Sequence, residues 1–334
     1  RQTGKTTAML SLAKSLTESG QYSAIMVSVE VGAAFTDNSD AAELAILSAW
    51  RGAAQFRLPQ ELQPPPWPEA PPGRRIGAAL SAWAQHSPRP LVIFIDEIDS
   101  LQGEVLLSVL RQLRDGYPNR PGGFPHALAL IGLRDVRDYK VAAGGSNRLN
   151  TASPFNIKVK SLTLRNFTAP EVVELYAQHT EQTQQAFTPE AVQLAFSLTQ
   201  GQPWLVNALA KEAVEELVED PAIPIDAEHI EQAKEILIKR QDTHLDSLAE
   251  RLRESRVRAV IAPLLAGQEL GRVAEDDRQF LVDLGLLQRD DAGKLNIANP
   301  IYREVLPSVL ARAVQDGLPT LQPSWLKADG QLDV

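Results

Sequence analysis

The first residues of the chain include Gly4, Lys5 and Thr6, whose types and order suit the binding of phosphate groups. They match the last three positions of the phosphate-loop pattern G-x-x-x-x-G-K-[ST]. Glycine lets the backbone approach a phosphate closely, lysine supplies a cation to the β- and γ-phosphates, and threonine offers a hydroxyl to Mg²⁺. We therefore expect Thr3, Gly4, Lys5, Thr6 and Thr7 to bind a nucleotide, with Thr6 also serving the metal.

The residues after this pattern predict a helix that would aim its N-terminus at the phosphates. Apolar residues recur at helical spacing over 7–19, and Gly20 stands where a helix stop is expected. The free N–H groups and the dipole of such a helix favour an anion. The alternative is a chance Gly-Lys-Thr at a helix start. Because the first glycine of the pattern would precede Arg1, we expect the chain to begin inside the motif, as part of a longer protein.

A second signal lies at residues 91–99, where five apolar residues are followed by Asp96 and Glu97. This pattern is typical of a buried parallel strand whose carboxyl end reaches a ligand crevice. At that position Asp96 can hold Mg²⁺ through water, and Glu97 can orient or deprotonate an attacking water. The alternative is a buried strand followed by an acidic helix cap. The occurrence of both patterns, in the right order and separated by about ninety residues, favours a nucleotide site.

Together these residues resemble the P-loop ATPases of the additional-strand catalytic-glutamate group, near the AAA+ and STAND families. Residues 4–6 match the end of Walker A, and residues 91–97 match Walker B with its adjacent catalytic glutamate. The closer resemblance is to prokaryotic AAA-like ATP-binding proteins of the archaeal-ATPase and origin-recognition-like branches. It implies an α/β fold: a P-loop NTPase parallel sheet flanked by helices, with its first strand missing from the chain, followed by a helical lid and a winged-helix-like domain. It also implies ATP and Mg²⁺ as cofactors.

The same resemblance suggests two more site residues. Arg134, after the predicted strand 127–133, matches the place where STAND-type proteins carry an arginine that senses the γ-phosphate; a salt bridge to a nearby aspartate is the alternative. Pro203, in a Gly-x-Pro motif that begins at Gly201, matches a lid-helix proline that lies over the nucleotide base. A helix stop followed by a new helix would explain that motif equally well. Three further arginines could act as a finger toward a neighbouring subunit, and nothing in the sequence selects among them: Arg111, Arg114 and Arg120.

The expected domains are a P-loop ATPase core over 1–166, a helical lid over 167–240, a winged-helix-like domain over 241–313 and a tail or linker over 314–334. In the core, the family order of strands is 5-1-4-3-2, and its first strand would precede the chain. We expect an exposed, proline-rich insertion over 58–75, interpreted as a stiff surface loop rather than a docking segment. The predicted strands are 22–31, 91–95, 127–133 and 155–164, and the predicted helices of the core are 7–19, 40–52, 76–85 and 101–115.

Composition narrows the classes of function. The net charge of −9 argues against a mainly electrostatic nucleic-acid binder, and the acidic stretch 274–277, with acids at 275–277, would repel phosphate. DNA is therefore a possible but not a favoured partner; we expect ATP, and a protein partner or a second copy of the chain. The absence of cysteine excludes disulfides, cysteine-based metal sites and a cysteine nucleophile. No apolar run is long enough to span a membrane, and we expect a cytoplasmic protein.

Three functions remain open on this sequence. The first is an ATPase in which water activated by Glu97 attacks the γ-phosphate, with Asp96 positioning the metal and Arg134 steadying the charge. The second is a slow or non-hydrolysing nucleotide-gated switch or scaffold, which needs the same residues. The third is an origin-recognition-like DNA-binding ATPase. A small-molecule kinase is disfavoured, because a glutamate directly after Asp96 suits the activation of water.

Overall fold

The computed structural model describes residues 4–132, 162, 164–240, 252, 254–268, 270–271, 273–290 and 292–316, with side chains as far as residue 311. The chain divides into two compact units, with the boundary along the sequence between Arg165 and Asn166. The helices and strands of the first unit are α1 (Lys5–Glu18), β1 (Ser23–Ser28), α2 (Ser39–Arg57), α3 (Arg75–His86), β2 (Leu91–Asp96), α4 (Gly103–Gly116) and β3 (Ala127–Leu130).

The first unit is built on a parallel sheet of three described strands in the order β1-β2-β3. Ser23 lies opposite Leu91, and Val92 lies opposite Ala127. The middle strand β2 is buried along its whole length, which explains its unbroken apolar sequence. The predicted α/β fold with a parallel sheet is confirmed, and these three strands lie in the order that the resemblance implies for them. Their carboxyl ends share one edge of the sheet.

Helices cover both faces of this sheet. On one face, α1 packs Ala13 against a small cluster that includes Met26 and Phe94. On the other face, α2, α3 and α4 enclose the larger core, in which Trp50 and Trp83 are fully buried. Because strand residues alternate between the faces, neighbours such as Met26 and Val27 of β1 join different clusters. Burial on both faces fixes the register of the strands, and with it the residues that reach the carboxyl edge.

The proline-rich segment is more tightly packed than the sequence suggests. It contains a short 3₁₀ turn, Gln60–Leu62, and Leu62 is buried in the larger core. The indole N–H of Trp67 donates to the carbonyl of Leu47 at 3.0 Å, and that of Trp83 donates to Leu62 at 3.1 Å. The expectation of an exposed insertion is therefore wrong for Leu62 and Trp67. Apolar side chains spaced between the prolines anchor the segment, while most of the prolines themselves lie near the surface.

The described residues of the second unit are helical apart from one small hairpin and an isolated bridge between Phe187 and Ile225. In it, α7 continues into a π-helical stretch, Ala213–Leu217. A membrane-spanning helix is not found among the residues that the structure describes. The division of this unit into a lid and a winged-helix-like domain stays a prediction. Its described elements are α5 (Ala169–Thr183), α6 (Pro189–Thr199), α7 (Pro203–Glu212), α8 (Ala227–Arg240), α9 (Ser255–Leu265), α10 (Glu275–Asp283), the antiparallel pair β4 (Leu287–Arg289) and β5 (Leu295–Ile297), and α11 (Pro300–Asp316).

Candidate functional site

The start of α1 has the geometry of an anion site. Gly4 precedes the helix in the left-handed region, at φ 75° and ψ 12°, and a Cβ added there would meet nothing within 4 Å. Within the described residues no side chain caps this start, and its first turn carries no acid. The backbone N–H groups of Lys5, Thr6 and Thr7 belong to that first turn, which has no intrahelical acceptors for them. The positive end of the helix is thus left open to an anion.

Thr6 links this helix start to the acidic end of β2. Its hydroxyl Oγ1 donates to Asp96 Oδ2 at 2.9 Å, across ninety positions of sequence. Asp96 is buried at the carboxyl end of the central strand, with 7% of its surface exposed. The contact places a hydroxyl and a carboxylate oxygen together, and such hard oxygen donors are the ligands that Mg²⁺ prefers. The residue types and their contact therefore fit a magnesium site, as the sequence predicts for these two positions.

Lys5 reaches a third element at the same edge of the sheet. Its Nζ donates to the carbonyl oxygen of Gly132 at 2.8 Å, just beyond β3. An ammonium has three N–H donors, so this bond leaves two of them for a phosphate. Sequence reasoning missed Gly132 as a partner of the lysine; the one signal available was its position at the end of a predicted strand. The three elements that carry Lys5, Asp96 and Gly132 thus converge on one place.

Glu97 adopts a backbone conformation that is uncommon for a residue with a side chain. Its φ is 56° and its ψ is 37°, in the left-handed region, which costs a non-glycine residue about 1 kcal/mol. The Glu97 N–H donates to Asp96 Oδ1 at 3.0 Å, so both oxygens of that carboxylate are engaged. Ile131, the residue after β3, holds the two sides of this turn: its N–H donates to the Ile95 carbonyl at 2.8 Å, and its carbonyl accepts from the Ile98 N–H at 3.1 Å. Neighbouring hydrogen bonds thus hold the glutamate at the carboxyl edge.

The remaining predicted site residues are Thr3, Arg134 and Pro203, together with the three finger candidates. Thr3 and Arg134 lie outside the described residues. Pro203 lies in the second unit, as the first residue of α7, and its place over a nucleotide base stays a prediction. Among the three finger candidates, partial burial lowers the pKa of the Arg120 guanidinium, which lies 4.8 Å from the ring centre of Tyr117. The described structure therefore brings together Gly4, Lys5, Thr6, Thr7, Asp96 and Glu97.

Comparison with known proteins identifies solved structures that resemble the fold of this chain. No family model matches the chain, and no curated protein matches it. The structure is similar to that of a Walker-type ATPase of Pyrococcus abyssi, with a TM-score of 0.59 and 14% identity over 92% of this chain and 89% of that one. Weaker likenesses are to the Aeropyrum pernix Orc1 protein in complex with DNA (TM-score 0.44, 16% identity, 95% and 86% of the two chains) and to the Thermotoga maritima RuvB Holliday junction branch migration motor (0.40, 17%, 90% and 93%). The chain therefore shares the fold of this Walker-type ATPase, an α/β fold in which helices cover a parallel sheet.

Proposed function

We propose that this chain is a Mg-ATP-binding ATPase of the AAA+/STAND type that hydrolyses ATP and couples its nucleotide state to domain rearrangement or assembly. The observation that carries the proposal is the 2.9 Å contact between Thr6 and Asp96, which joins the two motifs. A chance Gly-Lys-Thr at a helix start would have no reason to meet an acid ninety residues away. The uncapped start of α1 beside it supports the same function.

Each residue has a distinct role in this proposal. The first-turn N–H groups of α1 and the ammonium of Lys5 bind the β- and γ-phosphates, while Thr6 and Asp96 would hold Mg²⁺. When bound, the metal neutralises the charge that develops on the phosphate oxygens. Glu97 accepts a proton from the attacking water, or orients it. Arg134 steadies the developing charge, and Pro203 contacts the base, as the resemblance suggests.

The experiment measures ATP binding and ATP turnover together, on the intact protein. Lys5→Ala removes the cation that faces the phosphates, so we expect ATP binding and turnover to be lost together. Glu97→Gln keeps the size of the side chain but removes the base, so we expect binding to remain and turnover to fall by about 10²-fold or more. Calorimetry measures the binding, and phosphate release measures the turnover.

Two exposed residues provide matched controls for these substitutions. Lys14→Ala removes a lysine from the far half of the same helix, and Glu104→Gln removes an exposed carboxylate from the start of α4. Both controls should bind and hydrolyse ATP like the parent. Equal turnover in the parent and in Glu97→Gln would remove Glu97 from its role, and normal ATP binding by Lys5→Ala would contradict the phosphate site.

A nucleotide-gated switch or scaffold is the second candidate, favoured by the division of the chain into two compact units. Such a switch binds ATP through the same residues but turns it over slowly or not at all, and its output is contact with a protein partner or a second copy. ATP binding by a parent that shows no turnover would support this candidate. A change of elution volume with ATP on gel filtration, absent in Lys5→Ala, would support the coupling itself.

An origin-recognition-like role in DNA binding is the least favoured candidate. The first turn of α10 carries three consecutive acids, which begin at Glu275. Glu275 forms ion pairs with Arg278 and with Arg289 of the hairpin, so both of these cations already have an acidic partner within the chain. A surface of this kind repels phosphate. Salt-dependent DNA binding that survives Lys5→Ala would reverse this preference.

A further inference from the structure

A cavity of about 640 Å³ lies in the first unit, at the opposite end of α1 from the phosphate site. Its walls come from α1 between Leu10 and Glu18, the outer edge of β1, the turn after α2 and Arg89. Thr17 on this wall is twelve residues from Lys5, or about 18 Å along a helix that rises 1.5 Å per residue. On α1 the wall begins at Leu10, and none of the site residues described above lines the cavity, so the two sites are separate. Its apolar wall includes Leu10, Ala13, Ala24, Ile25, Met26 and Leu62.

The edge of β1 on this wall cannot pair with a further strand. The Thr17 hydroxyl donates to the Ala24 carbonyl and accepts from the Ala24 N–H, both at 3.0 Å. Arg57 Nη1 donates to the Met26 carbonyl at 2.7 Å. These bonds occupy backbone groups that a peptide would need in order to extend the sheet. The occupant that suits this wall is therefore a small molecule rather than an added strand.

The charges on the wall define the polar end of such a molecule. Arg57 donates to Met26 as described, and Arg89 Nη1 donates to the Thr17 carbonyl at 3.3 Å. Neither arginine forms an ion pair with any residue in the described part of the chain. Since a guanidinium carries five N–H donors, both keep several for a ligand. Lys14 Nζ forms an ion pair with Glu18 at 3.7 Å. Glu61 is the other carboxylate on the wall.

We propose that this cavity binds a small, mainly apolar molecule that carries a single carboxylate. The apolar body would cover the wall around Leu10, Ala24 and Met26, and the carboxylate would bind Arg57 and Arg89. The volume lies within the range of about 300–1,000 Å³ that small-molecule sites occupy. A polyphosphate fits poorly, because Glu18 and Glu61 leave the wall with only a small excess of positive charge. The proposal does not depend on ATP hydrolysis.

The test uses the two methionines of the chain, Met9 and Met26. Met26 lines the cavity and Met9 does not, so a protein labelled with ¹³C at the methionine methyl groups reports binding at one of two signals. A Met9→Leu variant assigns the signals. The probes are 4-phenylbutyrate and its neutral amide, which share one apolar body. We expect the acid to shift the Met26 signal saturably, and the amide to bind at least tenfold more weakly, a difference of about 1.4 kcal/mol.

Charge-removing variants connect this binding to the arginines. Arg57→Gln and Arg89→Gln should each weaken binding of the acid about tenfold, while Arg74→Gln, on an exposed residue outside the cavity, should leave it unchanged. An unshifted Met9 signal shows that a variant keeps its fold. The proposal is overturned if the acid causes no saturable change at Met26 up to about 10 mM, a range that covers millimolar dissociation constants. Equal binding of acid and amide by the parent overturns it without any variant.

Discussion

Two helices of this chain, α1 and α7, begin after a glycine with a positive φ, but the two glycines have different surroundings. Gly4, before α1, has a φ of 75°, and Gly201, just before α7, has a φ of 70°. A Cβ added at Gly4 would meet nothing within 4 Å, whereas at Gly201 it would lie 1.9 Å from the carbonyl oxygen of Phe167. The chain itself therefore demands a glycine at position 201. At position 4, the described chain demands only the positive φ and leaves the adjacent space open.

The two helix starts also differ in whether their first backbone N–H groups are satisfied by the chain itself. At α7, the Gln202 side chain accepts from the Leu205 N–H at 2.6 Å, and Pro203 has no N–H to satisfy. The start of α1 has no proline, and no side chain of the described residues caps it. The comparison teaches that a helix start completed by its own residues serves the fold, whereas an incomplete one beside a buried acid is suited to a ligand. Substitutions at Gly201, Gly4 and Pro203 test this contrast, and the one at Gly201 has the largest expected effect.

Gly201→Ala should severely destabilise the second unit. The added methyl group clashes with the Phe167 carbonyl and also sits at a positive φ, so the backbone between α6 and α7 must move. That movement would strain the 2.8 Å bond from the Phe167 N–H to the Gly201 carbonyl. We expect a loss of about 3 kcal/mol or more in the free energy of unfolding, measured by urea denaturation. A loss below about 1 kcal/mol would contradict the close contact.

Sequence reasoning succeeded where chemistry or burial leaves a local pattern. The apolar run before Asp96 predicted β2 because a strand buried on both faces has no need of polar residues. The Gly-x-Pro motif predicted a helix stop and start at Gly201, but not the contact with Phe167, which lies thirty-four positions earlier. The left-handed conformation of Glu97 was equally hidden, since the hydrogen bonds that hold the residues around it come from Ile131, more than thirty positions later.

Contacts between distant segments account for most of what was missed. Glu43 is fully buried on α2, yet a single glutamate in a helix looks like any surface acid. Its two oxygens accept from the N–H of Gly73 at 3.1 Å and from Gln112 Nε2 at 2.6 Å. The proline-rich segment that contains Gly73 is thus held by a carboxylate as well as by tryptophans. A buried carboxylate is tolerated when such donors satisfy it, and no periodicity in the sequence reveals their arrangement.

Gly4→Ala should separate two roles of this glycine: it adopts a positive φ, and it leaves space for a phosphate. Since the space around Gly4 is open, the substitution carries only the backbone cost of about 1 kcal/mol in the free energy of unfolding. A methyl group at the position where a phosphate approaches should weaken ATP binding about tenfold or more. Calorimetry measures the affinity, and urea denaturation measures the stability. Unchanged ATP affinity would show that the open space at α1 does not receive the phosphates.

Pro203→Ala gives the smallest effect and the sharpest test of the second helix start. If Pro203 serves only as the first residue of α7, its replacement should change the free energy of unfolding by less than about 1 kcal/mol and leave ATP affinity unchanged. If it contacts the base, as we propose, ATP affinity should fall about three- to tenfold, or about 0.7–1.4 kcal/mol, with AMP affected alongside ATP because the two share the base. Gln202→Ala is the matched control: it removes the neighbouring cap, costs about 1 kcal/mol in stability, and should not change nucleotide affinity. An equal loss of affinity in both variants would assign the effect to the helix start as a whole, and would withdraw the base contact from Pro203.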